Sequence, residues 1–581
     1  MTESRWTPVF ELDDIPVGGS RLYKKDGHQV AVFRTSPEEC FAIDNVCPHE
    51  GYPLLGGPVK DCVVTCPWHN YKFRLEDGQC VKGEEDVRSY PLRIVKRGIE
   101  IDLAEPDPDR LRDRIERSLE DGMWRGNLGQ VARDLLRWLE TDGRPEDLAL
   151  FCARFDARHA EWGTTHALAV AVDTLSLAEK REGSDRVLPL LYAYEEASDE
   201  QRRREPRPVV AAAAVPEPCW ERMRNDLLTF VEEEQAEEAE AFLRMLLREG
   251  VGAETLEPWF QELCAQHFVG FGHPLIYVSK TFALLDRVGF EHAEELLPAL
   301  LLRILRSTRE SLLPEWSRWR KDRAGIEDRL PGLWERVRTG EEQDASLLRK
   351  ALLDGSSEEA FAQMLAAVEA GTSLDALLEA LSLAAAGRLL RFDTDIEEDP
   401  GIQEGWLHVT HRFTFVNAIR NCASRAPGPW ILALLFQAAH WIQAARPLDR
   451  AEPDQARADV EEATVGDILA RIGDRDPVRA LAATRSFLQG GVSHRRHELR
   501  NALEELVLSG PVVRPIVSAH LIKILVAAFE EASWIHGPDS TLPLQAYVRL
   551  LASPLVENVL PRRVHEAIGF VLHGHVPKTL T

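Results

Sequence analysis

Two short loops constrain this chain more than any other feature: Asn45-Val46-Cys47-Pro48-His49 and, after sixteen intervening residues, Cys66-Pro67-Trp68-His69. Each loop offers one cysteine and one histidine, spaced C-x-H and C-x2-H, in β-rich surroundings. A Cys2His2 zinc finger sets both cysteines ahead of both histidines, usually at a helix. Here the order alternates. The pairing suits a [2Fe–2S] cluster with two thiolates on one iron and two imidazoles on the other, whose potential rises because neutral rings replace charged sulfurs.

Short β-rich segments surround the loops: 21–24, 29–34, 41–44, 62–65, 86–95 and 99–103, separated by Gly, Pro and Asp turns. At Ala104-Glu-Pro-Asp-Pro-Asp the texture changes, and Pro106 and Pro108 mark a linker. Beyond it the chain is rich in Leu, Ala, Arg and Glu at helical spacing, as in the runs starting at Val131, Ala241 and Ala502, the last two closed by glycine. The reading is a multidomain protein: an all-β domain over 1–105, a linker over 106–118, and a large all-α domain over 119–581. A flexible connection is expected inside the helical half, from about Ser198 to Pro218.

Residues 1–105 resemble a Rieske-type ferredoxin domain, the electron carrier of ring-hydroxylating oxygenase systems. The likeness takes in Gly51, Tyr71 and Phe73, the Asp77-Gly78 turn, and Tyr90-Pro91, which resembles a third loop covering the cluster. It implies that Cys47 and Cys66 bind the buried iron while His49 and His69 bind the iron nearest solvent. In high-potential members a cysteine in each loop forms a disulfide; Tyr52 and Trp68 take those places here. The hydroxyls that donate to the cluster there align with Tyr71 and Phe73, so at least one donor is lost, which implies a potential at the low end of the Rieske range. Asn70 stands where the family often has glycine, and Cys40, Cys62 and Cys80 read as structural thiols.

The helical half repeats a different pattern, a small residue before a histidine and an apolar run after it. It occurs at Thr165-His166, Gly272-His273, Thr410-His411, Ala439-His440 and Ala519-His520, with His159, His267 and His408 near these. One such histidine is ordinarily a core residue bonded to a carbonyl. Five together point to a buried site, either a neutral-imidazole metal site or an acid–base pocket. Repeated Glu-x-x-His pairs and His-Glu-x-x-His are absent, as is the Asp-x2-His-x4-His segment of terminal Rieske oxygenases. Short islands around His159, His166, His273, His408, His411 and His520 resemble the questin oxidase-like family of helical enzymes that open anthraquinone-type rings oxidatively. That resemblance makes these six histidines candidate catalytic residues, with Lys523 a polar partner. The small-residue pattern itself makes His166, His273, His411 and His520 candidate ligands of a second, non-haem iron, favoured because a one-electron donor lies in the same chain. His440 lies outside the islands; His494, His497 and His536 read as surface histidines, and the segment with His573 and His575 as a tail.

Acidic residues outnumber basic ones, 95 to 69, for a net charge of −26, which disfavours nucleic acid or an anionic membrane as partner. With neither a secretory leader nor a long apolar run, the expectation is a cytoplasmic protein whose cysteines are thiols or ligands. Two functions follow. In the first, the cluster takes single electrons from an NAD(P)H-dependent reductase or another donor and passes them to the histidine-rich site, making a monooxygenase or oxidase that uses dioxygen on an apolar or aromatic small molecule. In the second, the protein only transfers electrons or senses redox state, and its helical domain docks a partner.

Overall fold

The computed structural model describes residues 6–25, 28–83, 85–104, 108–214, 220–399, 405–450, 462–489, 492–512, 514–555 and 559–574. It divides into two compact units, Met1–Gly143 and Arg144–Thr581.

The first unit is built on three small antiparallel sheets. β1 (Trp6–Glu11), β11 (Gly98–Asp102) and β10 (Leu92–Val95) form one, in the order β1-β11-β10. β2 (Ser20–Lys25), β3 (His28–Ser36), β4 (Glu39–Asp44) and β9 (Ser89–Tyr90) form the second. The third is a short meander of β5 (Val59–Lys60), β6 (Val63–Thr65), β7 (Lys72–Arg74) and β8 (Cys80–Lys82). The alternation of Val30, Val32 and Ala42 against Ala31, Phe33 and Ile43 sends side chains to two separate cores, one on each face of the β2–β3–β4 sheet. The core that holds Cys47 and Cys66 also contains Phe33, Leu54, Phe73 and Val87. Strands β5, β7 and β8 escaped the sequence reading because they are only two or three residues long, and β1 escaped it with Pro8 at its middle.

Two findings revise that reading. The segment taken as a linker, 106–118, is helical from Pro108 onward as the start of α1 (Pro108–Arg125), and α1 with α2 (Leu128–Glu140), the latter read as part of the all-α domain, belongs to the first unit. They are fastened to the sheet module by Glu85, 5% exposed, which accepts from Arg133 Nε at 3.0 Å and Arg137 Nη1 at 2.6 Å. A buried carboxylate needs such partners, and the two arginines stand four apart on one helix face. Tyr90 is not part of a covering loop either. It lies in the core opposite the cysteines, pairs with Ala42 and donates its hydroxyl to Asp44 at 2.6 Å.

Among the described residues of the second unit the regular structure is helical apart from single bridges. Among the described residues no helix is long and apolar enough to cross a membrane. The expected flexible connection is helical to Gln201. Its described continuation is bound to the unit by Arg207 N–H to Arg158 O at 2.8 Å and Ala213 N–H to Ala241 O at 2.9 Å; residues 215–219 lie outside the described ones. The expected glycine stop holds at Gly250, with φ +80°, but Gly510 does not take the left-handed conformation.

Candidate redox centre and four-histidine site

In the first unit the two Cys/His loops have the same backbone wiring. Cys47 N–H donates to Tyr52 O and Cys66 N–H to Tyr71 O, both at 2.7 Å; Gly51 N–H returns to Cys47 O at 2.8 Å and Asn70 N–H to Cys66 O at 3.3 Å. Gly51 and Asn70 occupy equivalent left-handed positions, φ +77° and +62°. Asparagine tolerates that conformation better than other side chains, which accounts for its place where glycine is common. The wiring puts the thiols of Cys47 and Cys66 inside, 1% and 2% exposed, and the imidazoles at the solvent edge with Nδ1 of His49 and His69 3.2 Å apart. Burial, with the Cys66 thiol beside it, pushes the Cys47 thiol up to about 12. Two sheltered thiols beside two converging imidazole nitrogens are the donor set that a [2Fe–2S] cluster of the mixed type requires. The Tyr52 and Trp68 rings stack at 4.2 Å, joining the two loops where a disulfide would otherwise stand. Tyr71 stacks on His49 at 4.6 Å, and Phe73 is fully buried. Gly83 crosses so close to Tyr71 that a Cβ there would lie 2.1 Å from Cδ1, so the segment before β9 covers this side.

In the second unit four histidines from four helices meet. His166 opens the helix His166–Ala178, His273 opens His273–Val288, and His411 and His520 lie in the second turns of Gly405–Arg425 and Pro515–Trp534. Only the first two stand at helix entrances. Their ring nitrogens lie within 4.8 Å of one another. His166 Nε2 is 2.9 Å from His273 Nε2, which is 2.8 Å from His411 Nε2, which is 3.1 Å from His520 Nε2. On the far side of the rings, Nδ1 of His273, His411 and His520 meets the carbonyls of Gly270, Leu407 and Ile516, each at 2.6 Å. A carbonyl accepts only, so each Nδ1 carries the hydrogen and each Nε2 of a neutral ring presents its lone pair to the common centre.

Local structure explains the aim. Asp156, fully buried, accepts from Thr164 Oγ1, from Thr165 N and Oγ1, and from Gln201 Nε2, fixing the turn from which His166 emerges. Ahead of His273 the backbone runs through three left-handed residues, Gly270, Phe271 and Gly272 (φ +53°, +54°, +75°), and the buried Glu310 accepts the Phe271 N–H at 3.0 Å. A Cβ on Gly272 would stand 2.6 Å from the Phe415 ring. Buried ion pairs then lock the helices in twos. Asp173 and Lys280, each seven residues past a site histidine, pair at 2.5 Å. Arg420 and Glu531 join the helices of His411 and His520 at 3.0 Å.

The electrostatics keep the rings neutral. Burial above all, with the neighbouring rings and the Lys523 charge adding to it, holds His166, His273 and His411 well below their ordinary value and His520 at about 3. Lys523 is 4% exposed, its Nζ meets no partner among the described residues, and burial lowers it to about 8. Glu196, equally buried, is raised to about 8 by desolvation and by Glu200. Neither Glu196 nor Tyr277, whose ring lies 6.1 Å from His166 and 5.8 Å from His273, was singled out from sequence. Tyr277 had a signal, four residues past His273 on the same helix face.

The remaining candidates lie apart. His159 Nδ1 bonds Arg204 O at 2.7 Å and its ring stacks on Phe155; His408 packs against Phe271; His440 packs against Trp316. None belongs to the four-ring cluster. His494, His497 and His536 are exposed. His573 ends the helix Leu560–His573, so the chain is still folded where a tail was expected; His575 lies outside the described residues.

Comparison with known proteins bears on the first unit. The Rieske [2Fe-2S] domain family matches residues 5–92. The anthranilate 1,2-dioxygenase ferredoxin subunit of Burkholderia cepacia is 31% identical over 105 residues, which cover 18% of this chain and 96% of that subunit. The nitrite reductase (NADH) small subunit of Salmonella typhimurium is 33% identical over 98 residues, 16% of this chain and 91% of the relative. Cholesterol 7-desaturase nvd of Hemicentrotus pulcherrimus is 35% identical over 77 residues, 13% of this chain. The match spans only 16% of that desaturase's own length.

Proposed function

Since the chain belongs to the Rieske [2Fe-2S] domain family through its N-terminal unit, we propose that it is an oxidoreductase in which single electrons, received from an NAD(P)H-dependent reductase or another donor, serve a transition-metal site on His166, His273, His411 and His520. The substrate class is an apolar or aromatic small molecule, and dioxygen is the oxidant. When bound, a [2Fe–2S] cluster on Cys47, Cys66, His49 and His69 supplies one-electron transfer, and a first-row metal, iron by preference, supplies redox chemistry with dioxygen at the four imidazoles.

The observation that carries this reading is the convergence of four Nε2 atoms at 2.8–3.1 Å with three Nδ1 atoms turned to carbonyls. Lone pairs so opposed repel unless a cation or proton lies between them, and the lowered basicity of the rings disfavours the proton. The carbonyls hold ring orientation and tautomer, the part that outer partners play at metal sites. Lys523 and Glu196, both brought to about 8, are placed to hold or release protons near neutral pH. The islands that resemble questin oxidase-like proteins fall on these same helices, His159 excepted, which ends the helix Pro145–His159.

Metal analysis of one anaerobically purified preparation tests the reading. About three irons to two acid-labile sulfides per chain is expected. A ratio of one to one, with no other metal present, would leave an electron carrier whose helical unit docks a partner.

A further inference from the structure

The helix Leu560–His573 presents its apolar face outward. An amphipathic helix on a soluble protein ordinarily lays its apolar stripe on the core and its polar face in water. Here the half-buried positions within the helix are Arg562, Glu566 and Gly569, which lie along one edge. That edge is tied to its own unit: Arg562 Nη2 donates to Glu397 O at 2.8 Å, and Arg562 and Glu566 line a cavity together with Glu397 and Gly405. At about 100° per residue, the roughly opposite edge carries Leu560, Val564, Ile568 and Leu572. These four are 70%, 59%, 47% and 69% exposed, and Val571 between them is exposed too. No residue of the helix is buried. An exposed apolar row of this kind marks an interaction surface.

The spacing of the row says what covers it. Leu560, Val564, Ile568 and Leu572 step by four and are symmetric about Glu566. An antiparallel second copy of the same helix therefore sets Leu560 against Leu572 and Val564 against Ile568, twice over, so that every apolar residue meets another. Such self-complementary contact is what a two-fold dimer requires, and rows of i±4 residues are the ridges that interlock in the commonest helix packing. Charge agrees. Antiparallel pairing places the positive end of each helix beside the negative end of the other. A lipid surface is the competing occupant, but it calls for free cations beside the apolar row. The two arginines of this helix are engaged instead, Arg562 by Glu397 O and Arg563 by Glu566 at 3.3 Å, in a chain of net charge −26. A fourteen-residue helix is about 21 Å long. A contact of that length falls short of the roughly 1,200 Å² that standard complexes bury, so the association is reversible and responds to dilution.

We propose that the face formed by Leu560, Val564, Ile568 and Leu572 pairs two copies of this chain, helix against antiparallel helix, about a two-fold axis at the level of Glu566. The inference rests on neither the metal nor the substrate of the proposed function.

The test is sedimentation equilibrium of the full-length, cluster-loaded protein over a dilution series, in which a reversible monomer–dimer equilibrium is expected. Val564→Lys and Ile568→Glu each bring an unpaired charge into the contact and should weaken the dimer at least about tenfold. Both side chains are exposed, so the melting temperature and the Rieske absorption should match those of the wild type, which separates lost pairing from lost fold. The two variants mixed in equal amounts should dimerise again. The antiparallel register sets the new cation of one chain against the new anion of the other, and leaves the second Val564–Ile568 contact native. A monomer at every concentration overturns the inference; vesicles of phosphatidylserine and phosphatidylcholine that bind this monomer, but not Ile568→Glu, would assign the face to a membrane instead. A dimer indifferent to both single variants overturns it as well, and so do variants that stay monomeric when mixed.

Discussion

His273 and His411, 138 residues apart in sequence, bring their Nε2 atoms to 2.8 Å while each Nδ1 bonds a carbonyl within four residues of its own position. A carbonyl bond is the ordinary mark of a structural core histidine. Here it performs the opposite office, because a ring anchored at Nδ1 can only point Nε2 inward. Six consequences of that geometry and of the first unit are open to measurement.

Removing the second site should not disturb the first. His273→Ala or His411→Ala is expected to eliminate metal beyond the cluster, with the Rieske absorption and electron paramagnetic resonance signals intact. Retention of that metal in both variants would remove these residues from the ligand set.

Conversely, Cys47→Ser or His69→Ala should abolish the Rieske signals while the helical unit melts as before, since the two units have separate cores. Cluster signals surviving in both variants would refute the ligand assignment.

Acid should destabilise the metal-free helical unit. In unfolded chains a histidine takes its proton near pH 6.5, whereas burial holds these four rings below that when folded, His520 at about 3. The unfolded state then binds more protons below pH 6.5, so the rings' contribution is fully present above that pH and is lost as the pH falls toward the folded values. The loss is about 1.4 kcal/mol per pH unit for each ring. Thermal unfolding of chelated protein at pH 7.5, 6.5 and 5.5 reads this, and the double variant His411→Gln/His520→Gln should flatten the decline by about two protons' worth. An unchanged slope would mean that the rings are protonated in the fold.

Gly272→Ala tests the strained approach to His273. The left-handed backbone costs about 1–2 kcal/mol with a side chain, and the contact with Phe415 adds roughly 1–3 kcal/mol. Denaturant unfolding should show the sum, and metal affinity should fall with it. A neutral substitution would show that the loop relaxes freely.

The Tyr52–Trp68 stack should act as a clasp. Aromatic pairs contribute about 0.5–1.5 kcal/mol, so Trp68→Ala ought to speed loss of the cluster on warming, while Trp68→Phe largely restores it. Equal cluster lifetimes in the wild type and Trp68→Ala would assign the loops' cohesion to the backbone bonds alone.

Reduction potential reads the surroundings of the sulfurs. With Phe73 in place of a hydroxyl and no cysteine at 52 or 68, the midpoint is expected in the lower part of the roughly −150 to +300 mV Rieske range. It should also stay level across neutral pH, and a high or steeply pH-dependent midpoint would show unseen donors at the cluster.

The sequence by itself determined the Rieske character of the first unit, because Cys47, His49, Cys66 and His69 stand at a local loop spacing, and the alternation of β2, β3 and β4 sorts its two cores. It also marked the four site histidines, each following a small residue before an apolar run. What it could not supply was which of the eight helical-half candidates meet: His440 shares the same local texture and His159 and His408 stand near it in sequence, yet all three lie elsewhere. Only the tertiary structure chose, through contacts between residues more than a hundred positions apart, such as Asp173 with Lys280 and Arg420 with Glu531. The same holds for the start of α1, read as a linker because of Pro106 and Pro108, and for α2, read as part of the second domain yet held to the sheets by Glu85. Spacing along a chain fixes what one loop or one helix face can present. Which faces pack together is set by the burial and charge pairing of the whole unit, and there the four-histidine site was decided.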